Sequence, residues 1–533
     1  MTAVRALQTG AEEPFLGTGS DPSSRRYRYT AAAVIALGSV SSILSSTVVN
    51  VAVPALQRVF NASLADIQWI ITGYLLGLAA AIPVSGYLTD RFGSKRVYTS
   101  TLAAFTVTSL LCGFAWNTGS EIAFRVIQGV AGGMVMPVGM TMLMRITPPH
   151  ERGRMMGILG VPLLLAPALG PALGGYLIQI LDWRWVFWVN VPAGVLAIVF
   201  GNRLLRETPR LAGGRLDVVG LLLATPGVAV VIFGLTQASS QGWLSAQTLT
   251  SICAGLALLA AFVLWELRQE QPLLDVRVLA DRAFTAALGV SLVLNFALYG
   301  ATFLIPVFLQ QVQGYDTLSA GFLIAAQGIG AAIVMPVSGY LTDRFGARPV
   351  VFFGVAVMAS VSILMTTASP STPRTEWVLL LGLRGVGIGF GMMPSFSAAY
   401  ITIATAAIGR ATALSNTLQR VAASFGVAVL ATVTATRVAA HTPPGLPHSV
   451  AGRGFLSNAM ASGFDDALWL AAGVALLGLP ASILLRRARP AGLGPIETAD
   501  RLAPRLRRLA GGLTLLALAG LALSIGEAFG IHP

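Results

Sequence analysis

The chain has 533 residues, of which 55% are hydrophobic and 11% charged, with a mean hydropathy of +0.74; this excludes a soluble globular domain and makes it a polytopic membrane protein. Its net charge of +13 does not point to nucleic acid, because the basic residues punctuate apolar runs instead of clustering on a soluble domain. Cys112 and Cys253 lie inside apolar runs, and His150, His441, His448 and His532 are scattered, so neither a disulfide framework, a metal site nor a cofactor is expected.

Residues 1–28 are polar, carry Arg25, Arg26 and Arg28, and read as a disordered cytoplasmic tail with no cleaved signal. Apolar segments long enough to span a bilayer core follow at about 29–54, 67–88, 96–116, 120–144, 154–179 and 185–205. Two more, about 218–237 and 247–267, are bracketed by basic loops, and six further segments cover about 283–308, 317–341, 349–368, 377–400, 411–434 and 465–485. The expected plan is all-α with fourteen spanners: a six-helix bundle over 29–206, two inserted helices over 207–282 and a second six-helix bundle over 283–486. A basic tail, 487–533, holds a last apolar run at 509–525, read as a fifteenth spanner with a helix packed on the bundle as the rival.

The sequence PVSGYLTDRFG occurs at 83–93 and again at 336–346, an offset of 336 − 83 = 253, which marks an internal duplication. Each copy ends an apolar run and opens a basic loop, Ser94-Lys95-Arg96 in one and Ala347-Arg348-Pro349 in the other. Gly86 and Gly339 admit a neighbouring helix, Asp90 and Asp343 can sit on an adjacent helix N-terminus, and Arg91 and Arg344 can pair with carboxylates or headgroups. With Gly93, Lys95, Arg96, Gly346 and Arg348 these form a latch at a membrane surface; topology alone would need only the basic residues. Roughly 27 of the Lys and Arg residues fall on the Lys95 side, which places the amino terminus and both latches in the cytoplasm. Lys95, the single lysine, is followed by Arg96, so no phosphate-binding loop is present and uphill transport must draw on an ion gradient or a partner.

In these features the chain resembles the major facilitator superfamily, and within it the fourteen-helix drug/proton antiporters of the EmrB/QacA type. The loop Gly86–Arg96 is similar to that superfamily's first signature motif, and Gly339–Arg348 to its second-half copy. Arg125, Gln128 and Gly129 in the fourth span resemble its R-x-x-Q-G motif, and Gly170-Pro171-Ala-Leu-Gly174-Gly175 in the fifth resembles the marker of antiporters. Trp183–Pro192, Gln310–Gly314 and Ala411–Asn416 are further matches. The resemblance implies a multidrug or antibiotic exporter in the cell membrane, with protons as coupling ion and the arginine matching Arg125 associated with that coupling.

From the residues themselves, Ala166, Gly170 and Gly174 form one small-residue stripe, and Pro162, Pro167 and Pro171 weaken the same helix where a bend is useful. Arg125 is an intramembrane charge and therefore a functional candidate, with a structural ion pair to Glu121 four residues earlier as the bland reading. The chain departs from the family at residue 45, where Ser45 in Leu44-Ser-Ser-Thr47 stands at the usual acidic position; Asp90 and Glu121 remain as proton carriers. No acid lies near a span centre, and the cavity candidates are Ser45, Asn50, Asn295, Gln327, Arg384, Asn416 and Arg420. Such a site suits neutral or anionic amphiphiles better than lipophilic cations; arginines that bind backbone carbonyls are the alternative. The function expected is gradient-driven export of amphipathic small molecules by alternating access. An exporter or flippase of a lipid or anionic lipophile, and a non-transporting sensor or scaffold, are the alternatives; no enzyme motif is present.

Overall fold

A backbone in hydrocarbon must satisfy its own hydrogen bonds, so apolar runs of this length become helices. A computed structural model describes residues 24–62, 64–208, 210, 216–269, 272–404, 407–441 and 450–485, and among these there is no strand. In chain order the helices are α1 (Arg25–Phe60), α2 (Leu64–Phe92), α3 (Ser94–Gly113), α4 (Thr118–Ile146), α5 (Arg152–Ile180), α6 (Trp185–Trp188), α7 (Asn190–Leu204), α8 (Val218–Gln241) and α9 (Ala246–Glu266). They continue as α10 (Arg282–Val307), α11 (Thr317–Phe345), α12 (Ala347–Met365), α13 (Arg374–Ala399), α14 (Ile408–His441) and α15 (Val450–Ile483). Among the described residues, twelve stretches, with α6 and α7 counted as one, are long and apolar enough to cross a membrane; α3 and α5, of 20 and 29 residues, pack among them.

Two expectations change. Ser24 caps α1 by accepting from the Tyr27 amide at 3.2 Å, so Arg25–Arg28 are the first turn of a helix and not part of a disordered tail. Arg25 and Arg28 pair there with Glu151 at 3.4 and 2.8 Å. The stretch 435–463, polar and Gly- and Pro-containing and so read from the sequence as the longest loop on the side opposite Lys95, is mostly helix, since α14 runs to His441 and α15 starts at Val450; the chain-breaking prolines, Pro443, Pro444 and Pro447, are confined to a short stretch between them. Residues 1–23 and the run 509–525 lie outside the described residues.

Helices α1–α7 pack mainly on one another, α2 on α4 and α1 on α5, and α10–α15 likewise, α11 on α13 and α10 on α14. The inserted pair α8–α9 lies along the seam between the two sets: Val228 and Ile232 of α8 meet Ala79 of α2, and Val231 and Leu235 meet Ala428 of α14. At the end where α2 and α11 finish, both sets share one apolar core, in which Met144, Met155 and Met156 pack with Met335, Met393 and Ile408. At the opposite end the cores are separate: one around Val49, Ile70 and Phe187, the other around Phe308, Trp377 and Phe464. Among the described residues, the core that joins the two sets lies at one end only.

Candidate functional site

The joined end is built from the duplicated sequence. Gly93 and Gly346 take φ of +89° and +84° at the starts of α3 and α12, conformations that side chains other than hydrogen resist. Gly86 lies against the backbone of Gly409 and Arg410 on α14, and Gly339 against Gly153 and Arg154 on α5; a Cβ at Gly86 would fall 3.0 Å from the Gly409 carbonyl oxygen, and at Gly339 2.5 Å from that of Gly153. Each copy thus brings its helix onto the first turn of a helix from the other set.

The aspartates then diverge. Asp343 accepts from the backbone amides of Gly153 and Arg154, both at 2.9 Å, and so caps the N-terminus of α5. Asp90 instead accepts from Arg145 Nη2 at the end of α4, with Arg410 Nε of α14 at 3.6 Å from its other oxygen. A third tie, unread in the sequence, is Arg152: buried at the start of α5, it donates to the Met144 carbonyl closing α4 (3.4 Å) and to the Tyr400 carbonyl closing α13.

The flanking basic residues are held in several ways. Lys95 Nζ donates to the Asn202 carbonyl at 2.8 Å, while the amides of Lys95 and Arg96 donate to Glu207 at 2.9 and 3.1 Å, so Glu207 caps α3. Arg91 is exposed, Arg348 half-buried, and Arg344 donates to Tyr340 Oη at 3.3 Å.

Deep in the first set, α4 carries a buried polar network. Arg125, 0% exposed, donates from Nη1 to Ser45 Oγ (3.0 Å) and Gln128 Oε1 (2.6 Å) and from Nε to the Ile70 carbonyl (3.2 Å), with its guanidinium 4.1 Å from the Tyr74 ring centroid. Gln128 Nε2 donates to Ser109 Oγ at 2.6 Å, and Tyr74 Oη donates to the Ser42 carbonyl at 2.8 Å. One guanidinium thereby ties α1, α2 and α4 together. The ion pair with Glu121 is not formed: no Glu121 oxygen lies within salt-bridge distance of Arg125, and both carboxyl oxygens are buried with no N–H or O–H donor, the Cys112 thiol being the polar group beside them. Glu121 is thus a buried acid one turn from an arginine held by neutral groups, although its place in the first turn of α4 made it look peripheral.

Arg384 on α13 is the nearest counterpart. It is 0% exposed, donates from Nη1 to Gln327 Oε1 on α11 and from Nη2 to the Ala297 carbonyl on α10 at 2.9 Å, and has no carboxylate beside it among the described residues. Binding to carbonyls, not to an open cavity, is what the structure gives this residue. Asn295 Nδ2 donates to the Ser291 carbonyl (2.7 Å) and Gln419 Oε1 (3.4 Å), and Asn416 Nδ2 to the Thr412 carbonyl (2.9 Å). Arg420 on α14 is half-buried, within electrostatic reach of Tyr74.

The glycines of α5 divide their work. Gly170 and Gly174, the motif read as an antiporter marker, pack on Thr47 and Val48 of α1 within one set, so this stripe is not at the seam. Gly157 and Gly160 face Met335 of α11 and are the seam contacts, legible as small residues but not as to which neighbour they meet. Gly175 is half-buried, and the side chains of Asn50 and Pro171 fall outside the described residues.

Two helical sets that share a core at one end, locked by reciprocal contacts and carrying buried charges at mid-depth, define a polytopic membrane carrier. The model of the Major Facilitator Superfamily matches residues 35–427. The chain is 38% identical over 406 residues to the multidrug resistance protein B homolog of Mycobacterium tuberculosis, covering 75% of each chain. It is 28% identical over 449 residues to the lincomycin resistance protein LmrB of Listeria monocytogenes, 84% of this chain and 94% of that one. The fold is similar to that of the proton:xylose symporter XylE, with a TM-score of 0.62, 14% identity and coverage of 88% and 98%. This chain belongs to the Major Facilitator Superfamily of transporters and is not an enzyme.

Proposed function

We propose that the chain is a proton-coupled exporter of amphipathic small molecules, of the fourteen-helix EmrB/QacA type, working by alternating access between the bundles 29–206 and 283–486. The observation that carries this reading is the one-ended seal, a shared core and interlocking latches at one end and two separate cores at the other. A carrier must be able to exchange which end is sealed, and contacts of a few polar ties over small residues can be broken and remade. The names of its multidrug and lincomycin resistance relatives supply the substrate class. Counting α3 and α5 as spanners gives fourteen passes with the amino terminus and latches in the cytoplasm, by the excess of basic residues there. The conformation described is then open toward the outside.

Coupling is assigned to Glu121 and Arg125. Buried away from N–H and O–H donors, with the Cys112 thiol beside it, the Glu121 carboxyl is costly to ionise, and a guanidinium held by Ser45, Gln128 and a carbonyl can turn one helical step toward Glu121 when the acid releases its proton. Asp90, committed to Arg145 and Arg410, acts as a gate. The test is uptake of cationic, neutral and anionic amphiphiles into everted vesicles under an imposed proton gradient. Gradient-dependent uptake above that of vesicles lacking the protein is expected, and its absence for every class would sink the exporter reading.

A further inference from the structure

We propose that Arg420 is the recognition point for an anionic group, a carboxylate, sulfonate or phosphate, on an amphipathic substrate lying in the seam between the two helical sets. This names the substrate class of the proposed exporter and rests on that reading for its biological direction. Three deep arginines invite comparison. Arg125 and Arg384 are fully buried, and each gives two of its three guanidinium nitrogens to neutral acceptors of its own set, one nitrogen of each staying unpaired. Arg420 is half-buried, and among the described residues nothing hydrogen-bonds or ion-pairs with its guanidinium.

Helical geometry fixes the direction in which it points. On α14, Gln419 and Gly426 meet Asn295 and Phe296 of α10, while Val421 and Ala428 meet α8. Asn416, Arg420, Ser424, Val427 and Ala431, at i, i+4, i+8, i+11 and i+15, form a separate face between these two. Tyr74 of the other set stands within electrostatic reach of Arg420, so this face looks across the seam. Toward the end where the cores separate, the face continues as Ser424, Val427 and Ala431, small and half-buried. A charged point at the base of a small-residue track has the form that an amphiphile with an acidic head requires.

The charges around the site set the sign. Facing Arg420 from α2 is Tyr74, with the Arg125 guanidinium behind it; α10 offers Asn295, and the packed face of α8 carries only apolar residues. No carboxylate faces it among the described residues. A desolvated guanidinium without an acceptor is unfavourable, an arriving anion supplies charge-assisted hydrogen bonds, and an arriving cation meets two like charges.

The experiment is equilibrium binding to the full-length protein in phosphatidylcholine nanodiscs, without a gradient, referenced to empty discs. The probes are 1-pyrenebutyrate, its methyl ester and the corresponding trimethylammonium compound. The carboxylate should bind about tenfold tighter than the ester, and the cation more weakly than either. Arg420→Gln should erase the preference for the carboxylate while leaving ester affinity within about twofold; Arg420→Lys, which keeps the charge and tests folding, should retain part of it. Equal binding of carboxylate and ester to the unaltered protein, or a preference that survives Arg420→Gln, overturns the proposal. Competition by phosphatidylglycerol added to the discs identifies a lipid headgroup as the anion, and competition by soluble carboxylates alone identifies a free amphiphile. Because binding is read without transport, a chain that recognises the anion yet fails in vesicles overturns the exporter reading only.

Discussion

Residues 83–93 and 336–346 are the same eleven letters, yet the two latches are held by different chemistry. Asp343 spends its charge on two backbone amides of α5, whereas Asp90 spends it on the guanidinium groups of Arg145 and Arg410. The depths of the two sets differ in the same way. Gly129 packs on the Tyr74 carbonyl and Gly385 on that of Gln327, positions related by the latch offset, 327 − 74 = 253. Matching the two glycines on α4 and α13, 385 − 129 = 256, puts Arg384 where Gln128 stands, next to its glycine, and nothing in the second set corresponds to Arg125 with Glu121 one turn away. The comparison teaches that duplication conserved the packing frame while the charged side chains diverged; the proposed proton coupling falls in the first set and the proposed anion recognition on α14.

The largest effect should come from the buried arginines. Arg125→Gln should abolish gradient-driven uptake, a loss of about a hundredfold or more, because it removes the group that ties α1, α2 and α4 and faces the coupling acid. Arg384→Gln should lower the thermal midpoint of the detergent-solubilised protein but retain uptake within about fivefold, its loss being one of a few hydrogen bonds. Equal loss of uptake in both variants would erase the proposed division between the sets.

Glu121→Gln comes next: uptake down a substrate gradient should persist, while dependence on an imposed proton gradient disappears. Retained proton dependence would remove Glu121 from the coupling step. Between the latches, Asp90→Asn should cost about tenfold in uptake, since it leaves two guanidinium groups without a charge partner. Asp343→Asn should cost less than about threefold, because an asparagine still caps a helix well. Insertion of both variants is checked by membrane fractionation, and a reversed order would break the comparison.

The smallest effect expected is that of Ser45→Asp, the substitution that restores the usual acid. In the sequence it reads as a route to cation transport, but Ser45 is buried against Arg125, so the new carboxylate would pair with that guanidinium. Cation uptake should change by less than about twofold. A large gain in uptake of a lipophilic cation would mean that position 45 faces the substrate after all.

Much of the site was legible by residue type. The paired Asp90 and Asp343, of which only Asp343 takes up a helix start, the buried Arg125–Gln128 pair and the small residues of α5 are each visible as departures from a purely apolar run. Their partners were not. Arg152 reads as one more basic residue of a loop, yet it reaches Tyr400, 248 residues away; Glu207 reads as a polar linker residue, yet it caps α3. Glu121 looked peripheral by its position in α4, and only the packing around it shows that it is buried.

The sequence by itself determined that the chain lies in a membrane, where its helices run and that its frame is duplicated, because these follow from local requirements: an apolar run long enough for the bilayer and internal hydrogen bonding within each run. Tertiary structure decided which identical aspartate meets an amide and which a guanidinium, which glycines face the seam, and which arginine is left without an acceptor. Those outcomes depend on which helix faces meet across the bundle, and in a membrane, where apolar surface alone does not choose a neighbour, shape and polar pairing between distant segments make that choice.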